Sequence, residues 1–120
     1  MCKVKRFFGH ELPPIRFALL LPGLRHQSSW NTGPLIAGAA EMAVQTVNAD
    51  KTLLPGRVLE FSFADSGCSA KQGLKAMGEL LGGESRISAV IGPGCSSACE
   101  VTSQLTAEQD IPQIFYSSLM

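Results

Sequence analysis

The sequence carries no excess of charge of either sign: ten Lys and Arg balance ten Asp and Glu over 120 residues. Without a basic field, nothing draws nucleic acid or an anionic lipid surface to it, so nucleic-acid binding is not expected. Basic residues cluster only at Lys3, Lys5 and Arg6, too few for a polybasic anchor. Long apolar runs are also missing. The run from Phe17 to Leu21 is closed by Pro22, far short of the roughly 20 residues a spanning helix needs. Phe7 and Phe8 are followed at once by Gly9, His10 and Glu11, which is not the apolar core of a secretory signal. The chain is therefore expected to be cytosolic or a piece of a longer gene product.

Nucleotide and catalytic signatures are equally sparse. No Gly-Lys-Ser/Thr phosphate loop occurs, and Gly92-x-Gly94 lacks the third glycine of a dinucleotide fingerprint. The two histidines, His10 and His26, leave few choices for a general base. A thiol enzyme would need Cys95 as nucleophile with His26 as its base, and the loop of His26 shows no orienting carboxylate. No catalytic residue, metal ligand set or cofactor is expected.

The apolar content of 45% suits a globular chain with a modest core. Residues 1–14 read as a disordered leader ending in Pro13-Pro14. From Ile15 the pattern is regular. Ile15 to Leu21 is nearly continuous apolar sequence, as a strand buried on both faces requires. Pro34 to Asn48 reads as a helix, with Ile36, Ala40, Ala43, Val44 and Val47 at helical spacing. Val58 to Ala64 alternates as a second strand.

Ser69 to Gln72 matches a capping box and predicts a helix to Leu81, with Leu74, Met77, Leu80 and Leu81 facing inward. Ile87 to Ile91 is a third strand. Ser97 to Glu100 matches a second capping box, predicting a helix to about Gln109. Gln113 to Tyr116 is a short fourth strand. The order β-α-β-α-β-α-β predicts an α/β fold with a mainly parallel sheet and helices on both faces. With no helix after its last strand, the unit reads as an incomplete lobe.

The four cysteines, Cys2, Cys68, Cys95 and Cys99, allow three complete pairings. Cys68 and Cys95 each sit in a Gly-containing turn after a strand, and such turns lie side by side on one edge of a parallel sheet. Their pairing would close a loop of roughly 28 residues, worth about 3–4 kcal/mol on the loop-entropy argument. Four free thiols are the expectation for a reducing compartment. Cys95 and Cys99, four apart on a helix, lack the second ligand pair that a zinc site requires.

The segment Ile91-Gly92-Pro93-Gly94-Cys95-Ser96-Ser97 is the most informative. It joins a strand to a helix whose first N–H groups favour an anion such as a carboxylate. Ser96 is placed to hydrogen-bond that anion. Trp30, in the loop after the first strand, and Ser117, after the fourth, would reach the same edge. Ligands of open α/β sheets bind beyond the strand C-termini.

In order, Asp65-Ser66-Gly67-Cys68, Ile91 to Ser97, Ala43 to Asn48 and Ile111-Pro112 resemble one family: the extracellular ligand-binding region of class C G-protein-coupled receptors and membrane guanylyl cyclase (natriuretic peptide) receptors. That region is similar to type I periplasmic binding proteins. The resemblance runs from residue 15 to about residue 118. It implies a two-lobed clamshell whose first lobe begins here, in residues 15–120, and a Cys68–Cys95 bridge. It also implies a place on the outer side of the cell membrane, with the membrane segment elsewhere, and receptor dimers. In the GABA type B branch, the positions of Trp30, Ser96 and Ser117 line an amino-acid pocket. A glycine of that branch is Ser117 here, and a serine contact falls on Leu119. The run Ser69 to Leu81 and Cys99 look closer to the receptor cyclases, whose ligands are often peptides. The expected ligand is therefore amino-acid-like or a peptide.

Overall fold

The computed structural model describes residues 12–22, 33–83 and 86–116. Four strands, β1 (Ile15–Leu21), β2 (Leu59–Asp65), β3 (Ala89–Ile91) and β4 (Gln113–Ile114), alternate with three helices, α1 (Gly33–Ala49), α2 (Ala70–Leu81) and α3 (Ser96–Glu108). The sheet order is β2-β1-β3-β4 and every pair is parallel. The predicted α/β architecture is the observed one.

Central β1 has a neighbour on either side, so Ala18, Leu19, Leu20 and Leu21 are all buried. A strand covered on both faces has no use for polar alternation, and this explains the unbroken apolar run. Ala18, Leu20 and Val90 face one way and pack with Ala76, Met77 and Ile87 into the core, with Leu80, Leu81, Leu105 and Ile111 around it. Helices α2 and α3 cover this face and pack against each other. Gly73 permits their close approach, because a Cβ there would lie 3.1 Å from the Ala98 Cβ.

The opposite face carries Phe17, Phe61 and Phe63, whose rings follow one another at 5.9 and 6.0 Å between centroids. Helix α1 lies over this face, above β2. Asn48 fixes its end. The Asn48 side chain accepts from the Leu59 N–H at 2.8 Å and donates to the Leu59 carbonyl at 3.0 Å. An asparagine that merely breaks a helix in the sequence thus clamps α1 to the start of β2.

Several local expectations change. Strand β2 begins at Leu59, one residue later than expected, and β3 and β4 are shorter than their apolar runs. Leu74 is 43% exposed instead of inward, since α2 turns Gly73, Ala76 and Met77 to the core. Ala43 on α1 is exposed. The Ser69 capping box forms only by half: Ser69 accepts from the Gln72 N–H at 3.1 Å, but the Gln72 amide reaches the Asp65 carbonyl at 3.4 Å. The second box does not form. Cys95 is the N-cap of α3, and Ser97 lies inside the helix with its hydroxyl on the Cys68 carbonyl at 3.1 Å. Tertiary neighbours compete for both side chains, and the local motif loses.

Candidate functional site at the strand C-termini

All four strands run the same way, so their ends lie along one edge. At the end of β1, the Leu21 carbonyl accepts from both the N–H and the hydroxyl of Ser66, at 2.8 and 3.1 Å. Ser66 is fully buried. It joins the β1 and β2 ends and has no surface to offer a ligand. Asp65 Oδ1 accepts from the Gly67 N–H at 2.8 Å, which curls the chain back at once. That contact holds the β2–α2 turn.

Gly67 and Cys68 then take consecutive positive φ values of 60° and 53°. Glycine adopts such a backbone freely; a cysteine does so at a cost, so its surroundings must hold it. Two contacts do. The Cys68 carbonyl accepts from Ser97, and its sulfur is bonded to Cys95, with the two Cα atoms 5.2 Å apart. The pairing inferred from turn position is present. It leaves Cys95 without a free thiol, which overturns the Cys95–His26 enzyme reading and a Cys95–Cys99 metal pair alike. Cys99 keeps its thiol and is buried.

Beyond β3 the chain narrows. Gly92 has φ 97°, and a Cβ there would lie 2.6 Å from the Leu20 carbonyl oxygen and 2.9 Å from the Tyr116 ring. At Gly94 a Cβ would meet the same ring at 2.8 Å. Gly92 and Gly94 therefore serve packing: they make room for Tyr116. The Tyr116 hydroxyl donates to the Leu20 carbonyl at 2.6 Å, and burial pushes its pKa up to about 12.

Helix α3 starts directly after this turn. Its N-cap, Cys95, makes no side-chain capping bond, because its sulfur is committed to Cys68. The first-turn N–H groups of a helix have no partner within it, and here no cap side chain takes one. Their summed dipole leaves partial positive charge at the edge. Ser96, the first residue of α3, is half-buried there. Trp30, Ser117 and His26 lie outside the described residues, so Ser96 alone of the three candidate ligand residues is placed. A separate groove of about 190 Å³ between α1 and β2 is lined by Glu41, Val44, Gln45, Phe61 and Phe63, with none of the candidates among them.

One participant carried no signal in the sequence. Gln113, at the start of β4, donates through Nε2 to the Gly92 carbonyl at 2.7 Å and to Thr102 Oγ1 at 3.1 Å. Its Oε1 accepts from Thr106 Oγ1 at 2.6 Å. Among the described residues, no three His, Cys, Asp or Glu side chains group as a metal site, and no helix is long and apolar enough to cross a membrane.

Comparison with known proteins agrees with this arrangement. The chain is 29% identical over 105 residues to the resact receptor of Arbacia punctulata. It is 28% identical over 117 residues to gamma-aminobutyric acid type B receptor subunit 1 of Mus musculus, and 31% identical over 127 residues to glutamate receptor 3.4 of Arabidopsis thaliana. These alignments cover 88%, 98% and 98% of the chain but 10%, 12% and 13% of the relatives, so the chain spans about a tenth of their length.

Among solved structures, an extracellular ligand binding receptor from Desulfohalobium retbaense superposes with a TM-score of 0.59 at 24% identity. It matches over 88% of this chain and 17% of its own. A substrate-binding protein of an ABC transporter from Sphaerobacter thermophilus gives 0.62 at 20% identity, over 89% of this chain and 27% of its own. Both share the fold. Residues 35–120 match the family described as receptor family ligand binding region, and the chain belongs to that family.

Proposed function

We propose that residues 15–120 form part of the first lobe of a receptor ligand-binding domain, and that this edge of the sheet holds the carboxylate of a small amino-acid-like ligand. One observation carries the reading: a disulfide between neighbouring turns fixes a helix start whose cap residue leaves the first-turn N–H groups to other partners. Ser96 adds a hydroxyl to those N–H groups, Trp30 packs against the ligand, and Ser117 contributes a hydrogen bond. A second lobe would close over the ligand, and closure would favour the signalling state of a receptor at the outer face of the cell membrane. Receptor dimers and the 1–14 leader belong to the same proposal.

Calorimetric titration of the completed domain with glycine, glutamate and γ-aminobutyrate tests it. Ser96→Ala should weaken binding by about 5- to 20-fold, the value of one hydrogen bond to a charged group. Unchanged affinity would remove the pocket assignment. Binding of a peptide but of no amino acid would move recognition away from this edge.

The likeness to a transporter's substrate-binding protein favours a second reading, a soluble binding component of the same fold. The transcript beyond Met120 separates the two. A membrane span followed by a cyclase or a helical bundle supports the receptor, and a stop after the second lobe supports the transport component.

A further inference from the structure

We infer that Gln113 is the positioning residue for the start of α3, acting without touching a ligand; its value for recognition rests on the carboxylate reading above. Its carboxamide makes three hydrogen bonds that join three parts of the fold. The Gly92 carbonyl belongs to the end of β3, Thr102 and Thr106 belong to α3, and Gln113 itself belongs to β4. Both threonines are buried, at 0% and 2% exposure, and Gly92 is buried as well.

The arrangement matters because of what else reaches the turn. The disulfide and the Ser97 hydroxyl both tie the first turn of α3 to Cys68. Helix α3 also packs along α2, most closely where Gly73 meets Ala98. The Gln113 bonds fall on Gly92, three residues before Cys95, and nearly two and nearly three turns into α3. They hold the helix further along its length than the disulfide does. Two anchors define a direction where one defines only a point, and the direction sets where the first-turn N–H groups aim.

The Gly92 carbonyl would lose its side-chain donor if the amide were removed. A buried acceptor left short of a partner is costly, so the turn would shift to find water. Thr102 already donates to the Ala98 carbonyl at 3.0 Å, so it stands to Gln113 as acceptor. Thr106 is the donor to Oε1. Both amide protons and the carbonyl oxygen are engaged, and this combination is specific to glutamine. Glutamate could still receive from Thr106 but could not donate to Gly92 or Thr102.

The test is amide hydrogen exchange by NMR on the full chain, comparing wild type with Gln113→Met and Gln113→Glu. The reporters are the amides of Gly92, bonded to the Ile114 carbonyl at 2.7 Å, and Cys99, bonded to the Cys95 carbonyl at 2.9 Å. Met77, in the α2 core, is the reference. Both variants should exchange about 10- to 100-fold faster at Gly92 and Cys99 with Met77 unchanged, as expected for local opening on losing two or three bonds. Methionine keeps the volume, so a side chain acting only by packing would leave the reporters unmoved and overturn the inference. Equal acceleration at Met77 would overturn it too, by showing a global loss of stability. Glycine and glutamate titrations on the completed domain add the second arm, in which the Met variant should bind at least about tenfold more weakly. Should the wild-type domain bind neither while the exchange pattern holds, the carboxylate reading falls and the positioning of α3 by Gln113 stands.

Discussion

The hydroxyl of Tyr116 and the carbonyl of Leu20 meet at 2.6 Å, joining the end of β4 to β1 across the intervening β3. The ring has to pass over the β3 turn to get there. That passage is open only because Gly92 and Gly94 lack side chains.

Tyr116 is the only tyrosine in the chain, so its titration can be followed without interference from another phenol. Burial raises its pKa to about 12, against an ordinary value near 10. The folded state therefore holds the phenol proton more tightly than the unfolded chain. This contribution is fully present below about pH 10 and is lost as pH rises towards 12. Absorbance at the phenolate band should give a midpoint near 12 in the native protein and near 10 in urea. A native midpoint near 10 would mean that the ring is not held on the turn.

Gly92→Ala places a methyl group against the Leu20 carbonyl oxygen and the Tyr116 ring, at a φ that L residues seldom adopt. Strain and overpacking together should cost roughly 2–4 kcal/mol in urea unfolding. Gly94→Ala has no positive φ to oppose it and should act mainly by displacing Tyr116. Its signature would be a phenol titration shifted back towards 10.

Breaking the Cys68–Cys95 bridge frees a loop with a sequence separation of 27. A Cys68→Ser, Cys95→Ser variant should lose about 3–4 kcal/mol of stability by denaturant titration. Thiol counting in denaturant, before and after reduction, should show two additional thiols in the wild type. No change on reduction would refute the bridge.

Gly73→Val would push a branched side chain into Ala98 and Thr102 at the α2–α3 contact. Helix separation should cost about 1–3 kcal/mol in urea unfolding. Exposed Leu74, one residue away, offers the control: Leu74→Ala should change stability by less than about 1 kcal/mol. A larger loss at Leu74 than at Gly73 would reverse the assignment of the buried face of α2.

Much of the fold was legible in the residues. Ile15 to Leu21 declared a doubly covered strand because burial on both faces removes alternation, and the alternation of strand and helix left a parallel sheet as the natural arrangement. Cys68 and Cys95 were paired by a topological argument: turns that follow parallel strands lie on one edge of the sheet, and β2 and β3 flank the same strand, β1. The Ser97–Glu100 box misled because a four-residue motif knows nothing of Cys68 across the edge, whose carbonyl captured the hydroxyl. Leu74 misled because helical spacing permits several phases, and the close approach at Gly73 selects one of them.

Composition and periodicity thus determined the element order, the central strand and the absence of a charged or membrane-spanning character in the described helices. These depend on residues near one another in the chain. Only the assembled structure decided that Gly92 and Gly94 make room for Tyr116, that Asn48 clamps β2, and that Gln113 binds strand, turn and helix together. Each of those is a contact between residues brought together by the sheet, where an amide or a ring finds the partner that water would otherwise supply. Local sequence cannot specify such a partner, since the backbone carbonyls it uses look alike at every position.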